Sequence, residues 1–116
     1  MRVLVCGDRN WTDTEAIKRE LKNYSKDTVI VHGACRGADR IAGEIGKELG
    51  LTIEEFPADW RKHGKAAGHI RNKQMIDEGK PNLVLAFHSD IESSKVTKNM
   101  LRQSEKAGIE TKLFEK

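Results

Sequence analysis

Two hydrophobic periodicities alternate along this chain, and the alternation limits its folds more than any other feature. Short apolar runs fall at Val3-Leu4-Val5, Thr28-Val29-Ile30-Val31, Leu51-Thr52-Ile53, Leu83-Val84-Leu85-Ala86-Phe87 and Thr111-Lys112-Leu113-Phe114. Runs of this length, rich in β-branched residues, read as strands, and the most continuous ones as central strands buried on both faces. Helical stripes lie between them: Ala16, Ile17, Leu21 and Tyr24; Ala38, Ile41, Ala42, Ile45 and Leu49; Ala67, Ile70, Gln74, Met75 and Ile76; Met100, Leu101, Ser104 and Ala107. Thr12 and Glu15 have the spacing of a capping box for the first helix. Gly50, Gly79 and Gly108 follow the other three, where a left-handed residue ends a helix. The resulting order, β-α-β-α-β-α-β-α-β, requires right-handed crossovers and a parallel sheet covered on both faces. We expect one Rossmann-like α/β domain over residues 1–116, with five parallel strands in the order 3-2-1-4-5.

Composition sets the outer bounds. A chain of 116 residues is long enough for one core without a disulfide or metal staple. No apolar stretch approaches the roughly 20 residues of a membrane span. Met1-Arg2 leads straight into a strand pattern, unlike a signal peptide. The two cysteines, Cys6 and Cys35, make no disulfide framework, and the simplest expectation is a reduced, cytoplasmic protein. The net charge of +3 is mild, but its distribution is uneven. Arg61, Lys62, Lys65, Arg71 and Lys73 fall in one acid-free segment, which suits an anionic ligand of limited size or a solvated face.

In sheets of this kind ligands sit beyond the carboxyl ends of the strands. The first strand ends in Gly7-Asp8-Arg9-Asn10-Trp11. There Gly7 permits close backbone approach, Asp8 suits a ribose hydroxyl, Arg9 a phosphate and Trp11 either a base or core packing. After the second strand come His32, Gly33, Ala34, Cys35, Arg36, Gly37, Ala38 and Asp39. Small residues at a strand-to-helix turn expose backbone N–H groups, and Asp39 favours the helix start. The segment is neither G-x-G-x-x-G nor a Walker A sequence, so it specifies no particular nucleotide. Trp60, Lys65, Gly68, Arg71 and Asn72 form a third block, with side chains suited to phosphate and base edges. His88, Asp90, Ser94 and Thr97 form a fourth, ahead of the last helix. His32, His63, His69 and His88 lack any metal-ligand spacing, so neither a metal nor a cofactor is expected.

These separated blocks, in this order, are similar to those of the YspA/YpsA-related branch of the SLOG superfamily. The marks are Gly7 to Trp11, His32 to Asp39, Ala58-Asp59-Trp60, Gly64-Lys65-Ala66-Ala67-Gly68, Ile70-Arg71-Asn72 and Leu85-Ala86-Phe87. The resemblance covers nearly the whole chain. It implies a Rossmann-like protein that binds a nucleotide or nucleotide-derived signal, in some members within phage–bacteria conflict, and a homo-oligomer, dimer or larger. Three departures stand out. Cys6 replaces a glycine, Val96-Thr97 replaces Gly-Thr, and nothing at Lys98-Asn99 matches the glutamate of the phosphoribohydrolase relatives.

Three functions remain open on the sequence alone. The first is a binder that senses, carries or sequesters a nucleotide-like molecule through Arg36, Arg71 and the small-residue turns. The second is a hydrolase of an N-glycosidic or phosphate bond, with Asp8, Asp39 or Asp90 as acid or base. The third is a nucleic-acid module, by analogy with the DNA-processing protein DprA. An aromatic content of 5% and the mild net charge argue against the extended groove that nucleic acid needs.

Overall fold

The computed structural model describes residues 1–115. Its strands are β1 (Arg2–Gly7), β2 (Val29–His32), β3 (Thr52–Glu55), β4 (Leu83–Phe87) and β5 (Glu110–Phe114). Its helices are α1 (Thr14–Leu21), α2 (Ala38–Glu48), a single turn α3 (Trp60–His63), α4 (Ala67–Gly79) and α5 (Val96–Lys106). The sheet is parallel throughout and ordered β3-β2-β1-β4-β5, as the alternation requires. The one-turn α3 and two short 3-10 turns, Gly64–Ala66 and Ile91–Ser93, are too brief to leave a periodic signal.

Alternate residues of the central strands enter two separate apolar layers. Val3, Val5, Ile30, Leu83, Leu85 and Phe87 pack with Ile17 and Leu21 of α1 and Ala42 and Ile45 of α2. Leu4, Cys6, Val31, Val84 and Ala86 face Met75 of α4 and Met100 of α5. β4 is buried along its whole length, the state its unbroken apolar run anticipates. At its end Phe87 stacks on Phe114 at 4.7 Å and meets Trp11 edge-on at 5.7 Å. Offset and edge-to-face contacts of this kind add about 1 kcal/mol each beyond the area they bury.

Helix boundaries depart from the sequence pattern at two places. The first helix is capped by Asp13, whose carboxylate accepts from the Ala16 N–H at 3.1 Å, so the Thr12–Glu15 capping box does not form. Asp13 lies one residue nearer the first helical turn and is the stronger acceptor. At the other, the left-handed residue ending α4 is Lys80, at φ 45°, while Gly79 is the last helical residue. Gly79 is needed for space: a Cβ there would lie 3.1 Å from Val31 and 3.5 Å from Phe56.

The buried face of α4 is also rotated from the expected stripe. Ile70 is 43% exposed, and the helix instead buries Ala67, Gly68, Arg71, Asn72, Met75 and Gly79. Two of those six are strongly polar, and both turn toward the carboxyl end of the sheet, where a cavity opens. Among the described residues, no helix is long and apolar enough to cross a membrane.

Candidate functional site

A cleft of about 920 Å³ lies beyond the carboxyl ends of β1, β2 and β4, where the strand order reverses. Its apolar floor is Cys6, Met75 and Met100. Burial pushes the Cys6 thiol well above its usual range, with the Asp39 carboxylate adding to the effect, so Cys6 is an inert packing residue rather than a nucleophile.

The wall after β2 is held by a network of its own residues. Asp39 is almost wholly buried, and its Oδ2 accepts from the Gly33 N–H at 3.0 Å and the Cys35 N–H at 3.4 Å. Between them the Ala34 N–H donates to His32 Nδ1 at 2.9 Å. With Nδ1 accepting, the neutral His32 ring carries its proton on Nε2, which faces Glu55 at 3.6 Å. Burial holds the His32 pKa below its ordinary value, which keeps the ring in that acceptor state. The turn also places Ala34 at φ 60°, a left-handed conformation costing a non-glycine residue about 1 kcal/mol.

This arrangement changes the meaning of the turn. The sequence predicts that its N–H groups form an anion cradle, but those of Gly33, Ala34 and Cys35 already donate to the protein itself. The Asp39 carboxylate sits where an incoming anion would otherwise be held. Burial raises its pKa to about 6, a shift opposed by Arg71 and by the two N–H donors.

Arg71 comes from the second turn of α4 and is 4% exposed. Its Nη1 donates to the Gly33 carbonyl at 2.7 Å and reaches Cys35 Sγ at 3.5 Å, while Nε donates to Asn72 Oδ1 at 3.3 Å. Nη2 donates to no described residue, and no carboxylate among them forms an ion pair with Arg71. Gly33 is required beneath it, since a Cβ there would collide with Nη1. Asn72 Nδ2 donates to the Val96 carbonyl at 3.0 Å and Asn99 Oδ1 at 3.2 Å, fixing the start of α5 against α4.

Other chain segments complete the rim. Gly7 ends β1, and Asp8 and Arg9 follow it; the Asp8 carboxylate accepts from the Asn10 N–H at 2.9 Å and shapes that turn. Gly7, at φ 153°, lets the chain pass β4, because a Cβ would run into the Phe87 carbonyl. His88 and Asp90 follow β4, with His88 Nδ1 accepting from the Asp90 N–H at 3.0 Å. Ser94 Oγ accepts from the Thr97 N–H at 3.0 Å and so caps α5, beside the buried Thr97. Trp60 stands at the mouth, 54% exposed, and Arg36 extends into solvent.

Four of the residues singled out from sequence lie elsewhere. Trp11 is buried against Phe87, with Nε1 donating to the Asp13 carbonyl, so it anchors the core and does not line the cleft. Gly37, at φ 86°, brings α2 against the turn after β1, where a Cβ would overlap the Asp8 carbonyl. Gly68 joins α4 to α5 by packing on Val96, whose side chain would stand 3.0 Å from any Cβ at that position. Lys65 projects from the exposed 3-10 turn and does not line the cleft. Conversely, Pro57, Ser93 and Lys95 line it without having been singled out, as do Asn10, Ala58 and Val96, which the sequence marks as parts of its blocks and not as candidate ligand contacts. Asn10, Ser93, Lys95 and Val96 each adjoin a candidate residue, and Pro57 and Ala58 closely precede Trp60, so proximity to a strand-end block is the signal that would have found them. Met75 and Met100 carried no such signal, being indistinguishable from core, and Cys6 was marked only as the replacement of a glycine. Among the described residues, no group of three or more His, Cys, Asp or Glu side chains is disposed to hold a metal ion.

A doubly wound parallel sheet with a polar-walled cleft at its switch point defines a Rossmann-like α/β protein with a candidate ligand site. More narrowly, the chain belongs to the YAcAr family, the YspA, cpYpsA-related SLOG family, whose model matches residues 1–63. It is also 38% identical over 117 residues to the Gene 61 protein of Mycobacterium phage D29, covering 93% of this chain and 91% of that protein. The matched segment includes the turns after β1 and β2 and ends with α3, so it spans one wall of the cleft and Trp60 at its mouth. Family membership suggests a nucleotide-like ligand.

Proposed function

We propose that this protein binds a nucleotide or nucleotide-derived signalling molecule in the cleft, holding it as a sensor, carrier or sequestering protein without altering it. The observation that carries the reading is Arg71, a buried guanidinium with no ion-pair partner among the described residues, one nitrogen to spare, and an open cleft before it. A buried cation in that state is strongly favoured by an anion that completes its hydrogen bonds. Arg9 and Arg36 at the rim supply further phosphate contacts, and Trp60 a face on which a base stacks. Ligand capture of this kind suits phage–bacteria conflict, and the phage-encoded relative fits that setting. A homo-oligomer, in which a second copy would close the open mouth, is part of the same proposal.

A thermal-shift screen against mono-, di- and cyclic nucleotides and ADP-ribose tests it. A ligand at 100 times its Kd adds about 2.7 kcal/mol. Arg71→Ala should abolish the shift and Arg36→Ala should reduce it. Absence of any nucleotide-dependent shift would overturn the proposal.

One observation favours hydrolysis as the second reading. Asp39, with its pKa raised to about 6, has the value wanted of a general acid or base near neutral pH. Chromatography of each hit separates the two: intact ligand supports binding alone, and release of a free base or shorter phosphate makes the protein an enzyme.

A further inference from the structure

A second depression lies on the far side of the turn after β1, outside the cleft. It is an open, shallow depression of about 510 Å³ over an apolar floor that includes Trp11 and Ile41. Arg40 and Glu44 of α2 wall it, and Arg9 and Arg36 wall both cavities. The two cavities are therefore neighbours across a ridge crowned by two arginines, with a third on the far slope. None of the three forms an ion pair among the described residues, and only Arg40 donates a side-chain hydrogen bond, to the Ala34 carbonyl at 3.3 Å. Three guanidinium groups without ion pairs, with Glu44 the one carboxylate lining the outer depression, are attracted to a multiply charged anion. The apolar floor beneath them suits a flat, weakly polar ring, on whose face an arginine can stack.

We infer that the ligand is a two-nucleoside molecule joined by phosphates. One nucleoside occupies the cleft, the phosphates cross the Arg9–Arg36 ridge, and the second nucleoside rests in the outer depression beside Arg40. This deepens the proposed function and rests on it. Arg40 and Glu44 then discriminate between two-nucleoside ligands and mononucleotides, since neither residue lines the cleft.

Calorimetric titration with AMP, ATP, inorganic tripolyphosphate and diadenosine polyphosphates of graded length tests this, with the guanosine series in parallel. The expected result is that a dinucleoside polyphosphate binds at least about tenfold more tightly than any mononucleotide of the same base. Arg40→Gln, which keeps a donor for the Ala34 carbonyl but removes the charge, should remove most of that advantage and leave mononucleotide affinity within about twofold. Glu44→Lys, an exchange at an exposed helical position, should increase the advantage and again leave the mononucleotide unchanged. Mononucleotide binding with no gain from the second nucleoside overturns the inference while the proposed function stands. Tripolyphosphate binding as tightly as the dinucleoside also overturns it, because the outer depression then reads charge alone. If no nucleotide binds, both readings fall.

Discussion

The two faces of the sheet are built differently. The face under α1 and α2 buries aliphatic and aromatic side chains in a continuous layer that includes Trp11, Leu21, Ile45, Leu85 and Phe87. The face under α4 and α5 has a smaller apolar cluster, and Arg71, Asn72 and Thr97 of its helices are buried at its carboxyl end. Polar groups buried in this way add little net stability even when well bonded, and they cost stability when one partner is lost. The contrast teaches that close apolar packing is concentrated on one side of the sheet, while the buried polar side chains that face the cleft from α4 and α5 lie on the other. The first face holds the strands in place, and the second uses that rigidity to keep polar groups aimed at a cavity.

The strongest challenge to this division is a pair of truncations. Phe87→Ala should lower unfolding free energy by about 4 kcal/mol, because it leaves a closed cavity against Trp11 and Phe114. Met75→Ala, at the floor of the open cleft, should cost about 2 kcal/mol, because water can enter the space it leaves. Urea denaturation of both variants checks this, and the reverse order would break the comparison.

The next effect concerns Asp39. Its folded-state pKa of about 6 lies above the ordinary value of 3.8, so the native state holds the proton more tightly than the unfolded chain. Its contribution is fully present below about pH 4, declines as pH rises, and is lost above about pH 6. Measured against Asp39→Asn, the wild type should therefore lose up to about 3 kcal/mol between pH 4 and pH 7.5. The comparison with the variant matters because His32, with its lowered pKa, acts in the opposite direction and is lost in acid. A gap between the two proteins that stays constant with pH would show that Asp39 keeps its charge throughout.

The smallest effect belongs to the turn after β2. Ala34→Gly relieves a left-handed alanine but loosens the unfolded chain, for a net stabilisation of about 0.5 kcal/mol. The same exchange frees the turn beside the cleft, so a small rise in Tm should accompany weaker ligand binding. A rise in both would sharpen the contrast differently, placing the strain outside the binding function.

The sheet was legible because its information is local. Each strand is a short β-branched run, each crossover an amphipathic stripe, and handedness then leaves few ways to order five strands. The α1–α2 face was legible for the same reason. The stripe assigned to α4 misled because that helix buries Arg71 and Asn72 and exposes Ile70, so its polarity pattern reports a cavity rather than a core. Trp11 and Trp60 show the limit at the level of single residues. Both follow a strand-end block, yet one is packed on Phe87 and the other is half in solvent, a difference set by tertiary neighbours. The internal use of the Gly33–Cys35 amides was equally hidden. It depends on a carboxylate meeting a turn in three dimensions, and glycine and alanine alone do not reveal whether their amides are already occupied.

That occupied turn bears on how such proteins diversify. A nucleotide held by backbone amides ties its recognition to the path of the main chain, and any change in the ligand then demands a change in the loop. Here the Asp39 carboxylate keeps the loop in shape, and in the proposed function ligand contact passes to side chains such as Arg9 and Arg36, which stand in solvent and support nothing beneath them. Those positions are open to exchange one at a time, without refolding. A lineage confronted with an altered signal can follow it by point substitution on an unchanged scaffold.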